Sequence, residues 1–377
     1  MKPKKIMLLV SGLNSGGAER VAVTLANAWT ERGDAVTLVP TFSGRGECFY
    51  SISDQIKLTY LADLAKKNGK NPLAYGARFF ALRRLIRSDK PDIAVSFLTN
   101  VNVAAILATR GLGIPVIVCE RTNPQFAKIN GFYLPLLRRL TYPLAELVTV
   151  LNQDMVAPFR AMVPHMKRLE VISNPLPSQL TKKSVFNIKQ THRYRLIAMG
   201  RLVESKQFGG LISKFAFLTS DFPDWDLWIW GEGPLRSQLE KQINLLSLDE
   251  RVFLPGNTTQ PWEELAKGSV FTLSSAYEGF PNVLLEAMAL GLPCVAFDCP
   301  SGPREMTRNG QDALLATSGD WQELTQMLYR LMSDPSLRYD LGNKAFISVR
   351  ERYSLESTLN RWDELFSIVT HTQPAFR

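Results

Sequence analysis

The feature that most constrains this chain is a rhythm. Short apolar runs end in glycine or polar loops, and each is followed by a segment with helical apolar spacing. Ile6–Val10 leads into Ser11-Gly12-Leu13-Asn14-Ser15-Gly16-Gly17, after which apolar residues recur at 18, 21, 22, 25, 28 and 29. That is strand, glycine loop, helix. Gly33 stops the helix, and Ala35–Pro40 gives a second strand. The alternation then predicts helices over 74–88, 101–110 and 133–142, and strands at Ile93–Phe97, Val116–Cys119 and Leu147–Leu151. Strands alternating with helices mean a parallel sheet covered on both faces.

Asn174-Pro175-Leu176-Pro177 and the polar stretch 178–193 interrupt the rhythm. It restarts with a strand at Tyr194–Met199, a Gly200 loop and a helix over 207–219. A strand at Trp225–Trp230, the Gly231-Glu232-Gly233 loop and a helix over 234–245 follow. Further strands are expected at Val252–Leu254, Val270–Leu273 and Pro293–Phe297. The expected fold class is α/β, with two doubly wound, Rossmann-like domains over residues 1–178 and 179–355. Ligands of such sheets sit beyond the carboxyl ends of the strands, so a cleft between two facing domains is the expected site.

At 377 residues the chain is too long for one typical domain and suits two of roughly 150–200. Its formal charge of +9 has a location. Residues 1–180 hold 23 basic and 12 acidic side chains, against 21 and 23 in residues 181–377. An anionic partner is expected for the first half. Cys48, Cys119, Cys294 and Cys299 form no CxxC pair, and His165, His192 and His371 lie far apart. Neither a zinc site nor a disulfide framework is supported. The apolar run after Lys5 is five residues long, shorter than the roughly 7–15 of a signal sequence or the about 20 of a membrane span. A reducing, cytoplasmic setting is the default expectation.

Asp224-Trp225-Asp226 has the form of a DxD metal motif, but it follows Phe222-Pro223 and leads into a tryptophan-rich strand. A turn entering a strand is the preferred reading. The stronger signal is Ser275-Ala276-Tyr277-Glu278-Gly279-Phe280-Pro281-Asn282-Val283-Leu284-Leu285-Glu286-Ala287-Met288-Ala289. Glu278 falls on the loop after the Val270–Leu273 strand, where a substrate can reach it. The backbone N–H groups after Pro281 open a helix and suit an anion such as phosphate. Glu286, one turn further, can accept hydrogen bonds from a diol such as ribose.

This stretch resembles the E-x7-E motif of glycosyltransferase family 4, the retaining enzymes of GT-B fold, and the resemblance extends over nearly the whole chain. Gly200-Arg201-Leu202-Val203-Glu204-Ser205-Lys206 resembles the family's Gly-Arg-Leu…Lys segment, and Gly231-Glu232-Gly233-Pro234-Leu235 its G-x-G-P-L loop. Arg251-Val252-Phe253-Leu254-Pro255-Gly256 resembles the stretch that borders the nucleobase. Gly16-Gly17-Ala18-Glu19-Arg20 is similar to the G-G-A-E-R of bacterial members that build surface polysaccharides or lipid-linked oligosaccharides.

The resemblance implies a GT-B protein in which residues 1–178 bind acceptor and 179–355 bind a nucleotide sugar, with a helix in 356–377 crossing back to the first domain. It implies that Arg201 and Lys206 neutralise the donor diphosphate as the leaving group gains charge. Glu278 would hold the donor sugar's hydroxyls and Glu286 the ribose; the N–H groups of Phe280, Asn282 and Val283 would hold sugar or phosphate oxygens. Gly17 would let the first loop approach the diphosphate, and Gly16, Gly200, Val252, Leu254, Gly279 and Pro281 complete the donor-binding set. Glu19, Arg121 and Asn123 are the acceptor candidates. No metal or cofactor is expected, the nucleotide sugar being a co-substrate. In the family's mechanism the leaving phosphate itself assists deprotonation of the acceptor.

One segment departs from the family. Many members carry a histidine directly after a glutamate in the amino-terminal domain, where this chain reads Glu120-Arg121-Thr122-Asn123-Pro124. Arg121 stays protonated, so its role can only be electrostatic or hydrogen-bonding.

Between Lys66 and Lys90 stand eight basic residues and one acid, Asp89, while Tyr75, Phe79, Leu82 and Ile86 recur at helical spacing. Residues 132–140 repeat the mixture. The apolar stripe is expected to be core, with basic flanks left for anionic lipid headgroups or a lipid-linked diphosphate. Nucleic acid ranks lower, for want of any recognition module. The expected activity is a hexosyl transfer from a nucleotide sugar, UDP-linked by family habit, to a lipid-linked or polysaccharide acceptor such as a polyprenyl-diphosphate saccharide at the inner membrane face. Two alternatives are a retaining glycoside hydrolase using Glu278 and Glu286, and an inactive nucleotide-binding scaffold.

Overall fold

The computed structural model describes residues 3–371 apart from 15, 43–47, 49, 66–71, 122, 124, 125, 127–132, 178 and 181–192. The chain forms two units, Met1–Asn174 with Glu356–Arg377, and Pro175–Leu355. The boundary falls at Asn174 and Pro175, slightly before the one read from the sequence.

The first unit is built on β1 (Lys5–Val10), β2 (Ala35–Pro40), β3 (Lys57–Leu58), β4 (Ile93–Phe97), β5 (Val116–Cys119), β6 (Leu147–Val150) and β7 (Leu169–Val171). All pair in parallel, in the order β3-β2-β1-β4-β5-β6-β7. Nearly every residue of β1, β4, β5 and β6 is buried, as a sheet with helices on both faces requires. The second unit repeats the plan with β8 (Tyr194–Met199), β9 (Trp225–Trp230), β10 (Val252–Gly256), β11 (Val270–Leu273), β12 (Cys294–Asp298) and β13 (Leu314–Thr317), in the order β10-β9-β8-β11-β12-β13. In each sheet the winding direction reverses once, between β1 and β4 and between β8 and β11. Successive loops leave in opposite directions there, which opens a crevice at the carboxyl ends of those strands.

The apolar runs located ten strands to within one or two residues. The rhythm did not reveal β3, β7 or β13, which are short edge strands. It also stopped short of the helices Trp321–Ser333 and Pro335–Arg352. Their start signals are plain in retrospect. Asp320 accepts hydrogen bonds from the Gln322 and Glu323 N–H groups, and Asp334, before Pro335, accepts one from Leu337.

The last helix, Leu355–His371, packs on the helix Gly17–Glu31 of the first unit. Trp29, Trp362 and Phe366 form an aromatic trio with ring centroids 5.5–5.6 Å apart. Arg32 to Asp363 at 3.0 Å and Arg361 to Glu170 at 2.7 Å close its two sides. Half-exposed pairs of this kind add little, so the aromatic burial holds the helix. Trp362→Ala should therefore cost about 3–5 kcal/mol of stability by denaturant titration, whereas Asp363→Ala should cost under about 1 kcal/mol.

Candidate active site

The site is assembled where β8 and β11 diverge. Gly200 follows β8, Arg201 is exposed, and residues Glu204–Lys206 make a single 3-10 turn. Among the described residues the Arg201 side chain makes no hydrogen bond or ion pair. Lys206 folds back over Gly200, where a Cβ would stand 3.2 Å from its Cε. The side chain so directed ends 2.5 Å from Glu278 Oε1. Ser275 Oγ donates to the same oxygen at 2.6 Å. The ammonium keeps further N–H donors and the carboxylate a second oxygen, so the pair can still bind a polar ligand.

Backbone contacts hold this arrangement in place. Ala276 N–H donates to Ser205 O at 2.8 Å, Ser274 Oγ to Lys206 O at 2.8 Å, and Glu278 N–H to Pro300 O at 3.2 Å. The loops after β8, β11 and β12 are thus tied to one another. Beneath them, the Gly231-Glu232-Gly233 loop lies against the backbone of the Arg201 loop. A Cβ on Gly231 would meet Gly200 O at 2.0 Å, and one on Gly233 would meet Leu202 O at 2.4 Å. Leu202 N–H donates to Glu232 O at 2.9 Å, and Leu235 N–H to Leu202 O at 3.1 Å. Here glycine is demanded by the close approach of two backbones.

The helix Asn282–Ala289 begins at Pro281, whose carbonyl accepts from Leu284 and Leu285. Of the three N–H groups expected to meet a ligand, that of Asn282 already donates to Phe280 O at 2.8 Å. Phe280 turns its side chain inward, 8% exposed, edge-on to Tyr353. It therefore offers backbone only, as does Val252, buried in the core of the second unit. Leu254 packs against that core, and its carbonyl accepts from Arg236 at 2.8 Å. Glu286 is 3% exposed and accepts a bond from Trp262 Nε1 at 3.2 Å. Trp262, on the helix Pro261–Leu265, was not singled out from the sequence, which shows only a tryptophan after a proline.

In the first unit Gly16 caps the helix Gly17–Glu31, and Gly17 is exposed. The Glu19 carboxylate curls over Gly16 so closely that a Cβ there would lie 2.1 Å from Oε2. A carboxylate thus lies at the positive end of this helix dipole. Arg121 and Asn123 are buried beyond the end of β5. Glu120 beside them anchors a polar network that the sequence did not show. Thr99 donates to its oxygens at 3.0 and 3.1 Å, Tyr142 donates to Oε1, and Asn102 donates to Tyr142 Oη at 2.9 Å. Burial pushes the Glu120 carboxyl above its ordinary range, against these donors and nearby Arg138. Leu98, between β4 and this network, holds φ at 77°, a strained value for a branched side chain.

Two glycosyltransferase family descriptions match the chain, "Glycosyl transferases group 1" over residues 181–347 and "Glycosyl transferase 4-like domain" over residues 16–175. The chain belongs to the GT-B glycosyltransferases. An alpha-1,4-N-acetyl-D-galactosaminyltransferase of Campylobacter jejuni, named for a diNAcBac-PP-undecaprenol saccharide, is 28% identical over 90% of this chain and 92% of its own. The amylovoran biosynthesis glycosyltransferase AmsD of Erwinia amylovora is 26% identical over 96% and 99%. Anabaena HepE, solved with UDP, shares the fold at a TM-score of 0.77 with 19% identity, over 96% of this chain and 99% of that one.

Both family descriptions are of transferases, which leaves the hydrolase reading of Glu278 and Glu286 without support. Asp226 of the DxD triplet is taken up by Arg193 at 2.7 Å and Arg251 at 3.3 Å, at the amino end of β9 and away from the strand ends that form the site. If the glycine loop sets the position of Arg201, Gly231→Ala should be severe. At φ +140° and with a carbonyl in the way it should cost more than about 1 kcal/mol, read as a lowered denaturant midpoint.

Proposed function

We propose that this glycosyltransferase moves a hexosyl group from a UDP-linked donor to a lipid-linked or polysaccharide acceptor, with retention of anomeric configuration, at the cytoplasmic membrane face. The observation that carries the reading is the Lys206–Glu278 pair at 2.5 Å, formed beside exposed Arg201 at the carboxyl ends of β8 and β11. Breaking the sugar–phosphate bond transfers negative charge to the nucleotide diphosphate. Two cations at a sheet switch point answer that charge without a metal. Glu278, already oriented by Ser275 and Lys206, is placed to accept hydrogen bonds from the departing sugar. Buried Glu286, oriented by Trp262, is our candidate for the ribose hydroxyls.

The acceptor class draws on the relatives, one named for a PP-undecaprenol saccharide and another for amylovoran biosynthesis. A surface of the first unit supports a membrane location. The helices Pro72–Asp89 and Tyr133–Thr141 both pack on the helix Thr99–Thr109. The stripe on the first is core only at Leu82 and Ile86. Leu73, Tyr75 and Phe80 are 72%, 46% and 65% exposed, and Tyr133 and Leu140 are 79% and 62% exposed. Arg84, Arg87 and Arg139 lie exposed among them. Arg83 and Arg138 do not serve as flanks. Arg83 turns inward to the carbonyls of Ala108 and Arg110, and Arg138 is buried. Lys66, Lys67 and Lys70 lie outside the described residues. Among those described, no helix is long and apolar enough to cross a membrane.

Arg201→Ala and Lys206→Ala should each lower turnover of a UDP-sugar by roughly a hundred- to a thousandfold, with the product anomer unchanged from the donor by NMR. Near-native rates in both would remove the diphosphate assignment, an inverted anomer would remove retention, and UDP binding without transfer would leave a scaffold. In sedimentation with vesicles, recovery should rise with anionic lipid content and fall when Phe80 and Leu140 are both changed to Ser. Equal recovery on neutral and anionic vesicles would count against the membrane surface.

A further inference from the structure

Three arginines of the second unit show how this chain grips a carboxylate. Arg193 reaches Asp226 with Nε at 2.8 Å and Nη2 at 2.7 Å. Arg308 reaches Asp312 with Nε at 2.8 Å and Nη2 at 2.6 Å, and Arg304 uses the same two nitrogens on Asp298. That edge presents two parallel N–H groups, matched to two oxygens of one carboxylate or phosphate.

In Arg121 the same edge is buried and meets no carboxylate. The residue is 7% exposed, and neither Nε nor Nη2 has a hydrogen-bond partner. Its remaining contacts fix the plane. Nη1 donates to Asn174 Oδ1 at 2.7 Å, and the guanidinium carbon lies 3.7 Å from the centre of the Phe97 ring. The adjacent carboxylate does not pair with it, because Glu120 is turned to Thr99 and Tyr142. The Cys119 thiol lies against the guanidinium as a weak sulfur partner, but burial holds it neutral, so it supplies no counter-charge. Burial lowers Arg121 itself only to about 10, so it is charged at neutral pH. A buried cation without an anion costs stability, and a residue serving only the fold has no reason to retain one.

We propose that Arg121 is the receptor for one oxyanion group of a substrate, a carboxylate or a phosphate, bound through its Nε and Nη2. The group would lie beyond the carboxyl ends of β4 and β5, next to the switch point of the first sheet, where Phe97 and Cys119 end those strands. Calling its owner a substrate rests on the glycosyltransferase reading, while the anion site rests on the geometry alone. A sugar acid would supply a carboxylate, and a nucleotide or lipid-linked diphosphate would supply a phosphate.

The test is calorimetric titration of the full chain, in an Arg201→Ala/Lys206→Ala background that silences the second unit's cations. The probes are glucuronate, inorganic phosphate and inorganic diphosphate. At least one should bind, and Arg121→Met should weaken it by roughly tenfold or more. Arg121→Lys, which keeps the charge but loses the fork, should also weaken it. A response to glucuronate alone marks a carboxylate, and a response to the phosphates marks a phosphoryl group. Arg121→Met should melt at the same temperature as its parent or higher, since it removes an unpaired buried charge. Binding unchanged in Arg121→Met, no binding of any probe, or a clearly lowered melting temperature would each overturn the proposal. Because no transfer is measured, loss of this site and loss of the transferase reading are seen separately.

Discussion

A parallel strand can be paired only if the chain returns across the sheet, and each return costs a helix. When winding reverses, two neighbouring strands send their loops apart, and the gap between them is lined by backbone and side chains that no helix covers. Everything of chemical interest in this protein follows from that constraint, met once in each sheet. In the second unit the gap lies between β8 and β11, and it collects Arg201, Lys206 and Glu278. In the first it lies between β1 and β4, with the Gly16 loop at one side and the strained Leu98 turn at the other.

The gap alone would not orient a charge. Lys206 reaches Glu278 because Gly200 gives it a path, and Gly200 sits where it does because Gly231 and Gly233 let two loops touch backbone to backbone. The ion pair is largely sheltered from solvent, and its value lies in position more than in stability. It sets a cation and a carboxylate side by side before any substrate arrives, which suits a reaction whose charge appears only in the transition state. Burial works against charge in the first unit, where Glu120 is raised in pKa amid hydroxyl donors and Arg121 keeps a charge with no counterion.

Much of this was legible in the residues. Buried parallel strands are continuous apolar runs, so β1, β4, β5, β8, β9 and β11 announce themselves. Edge strands such as β3 and β13 do not, because one exposed side lets any residue serve. Arg201, Lys206 and Glu278 were named by motif resemblance, and the fold brings Lys206 and Glu278 together across 72 residues of sequence. The Trp262–Glu286 bond, the Asn102–Tyr142–Glu120 network and the inward turn of Arg83 join residues 20 to 40 apart through tertiary packing, and no spacing rule reports them. Val252 and Phe280 show the opposite limit. A motif can name a position whose side chain belongs to the core.

The central claim is that Arg201 and Lys206 hold a diphosphate. Comparing UMP with UDP by calorimetry on the full chain tests it most directly, since the two ligands differ only in the second phosphate. UDP should bind at least about tenfold more tightly than UMP, and the gap should close in the Arg201→Ala/Lys206→Ala chain. Equal affinity for UMP and UDP in the parent, or a gap that survives the double substitution, would contradict it.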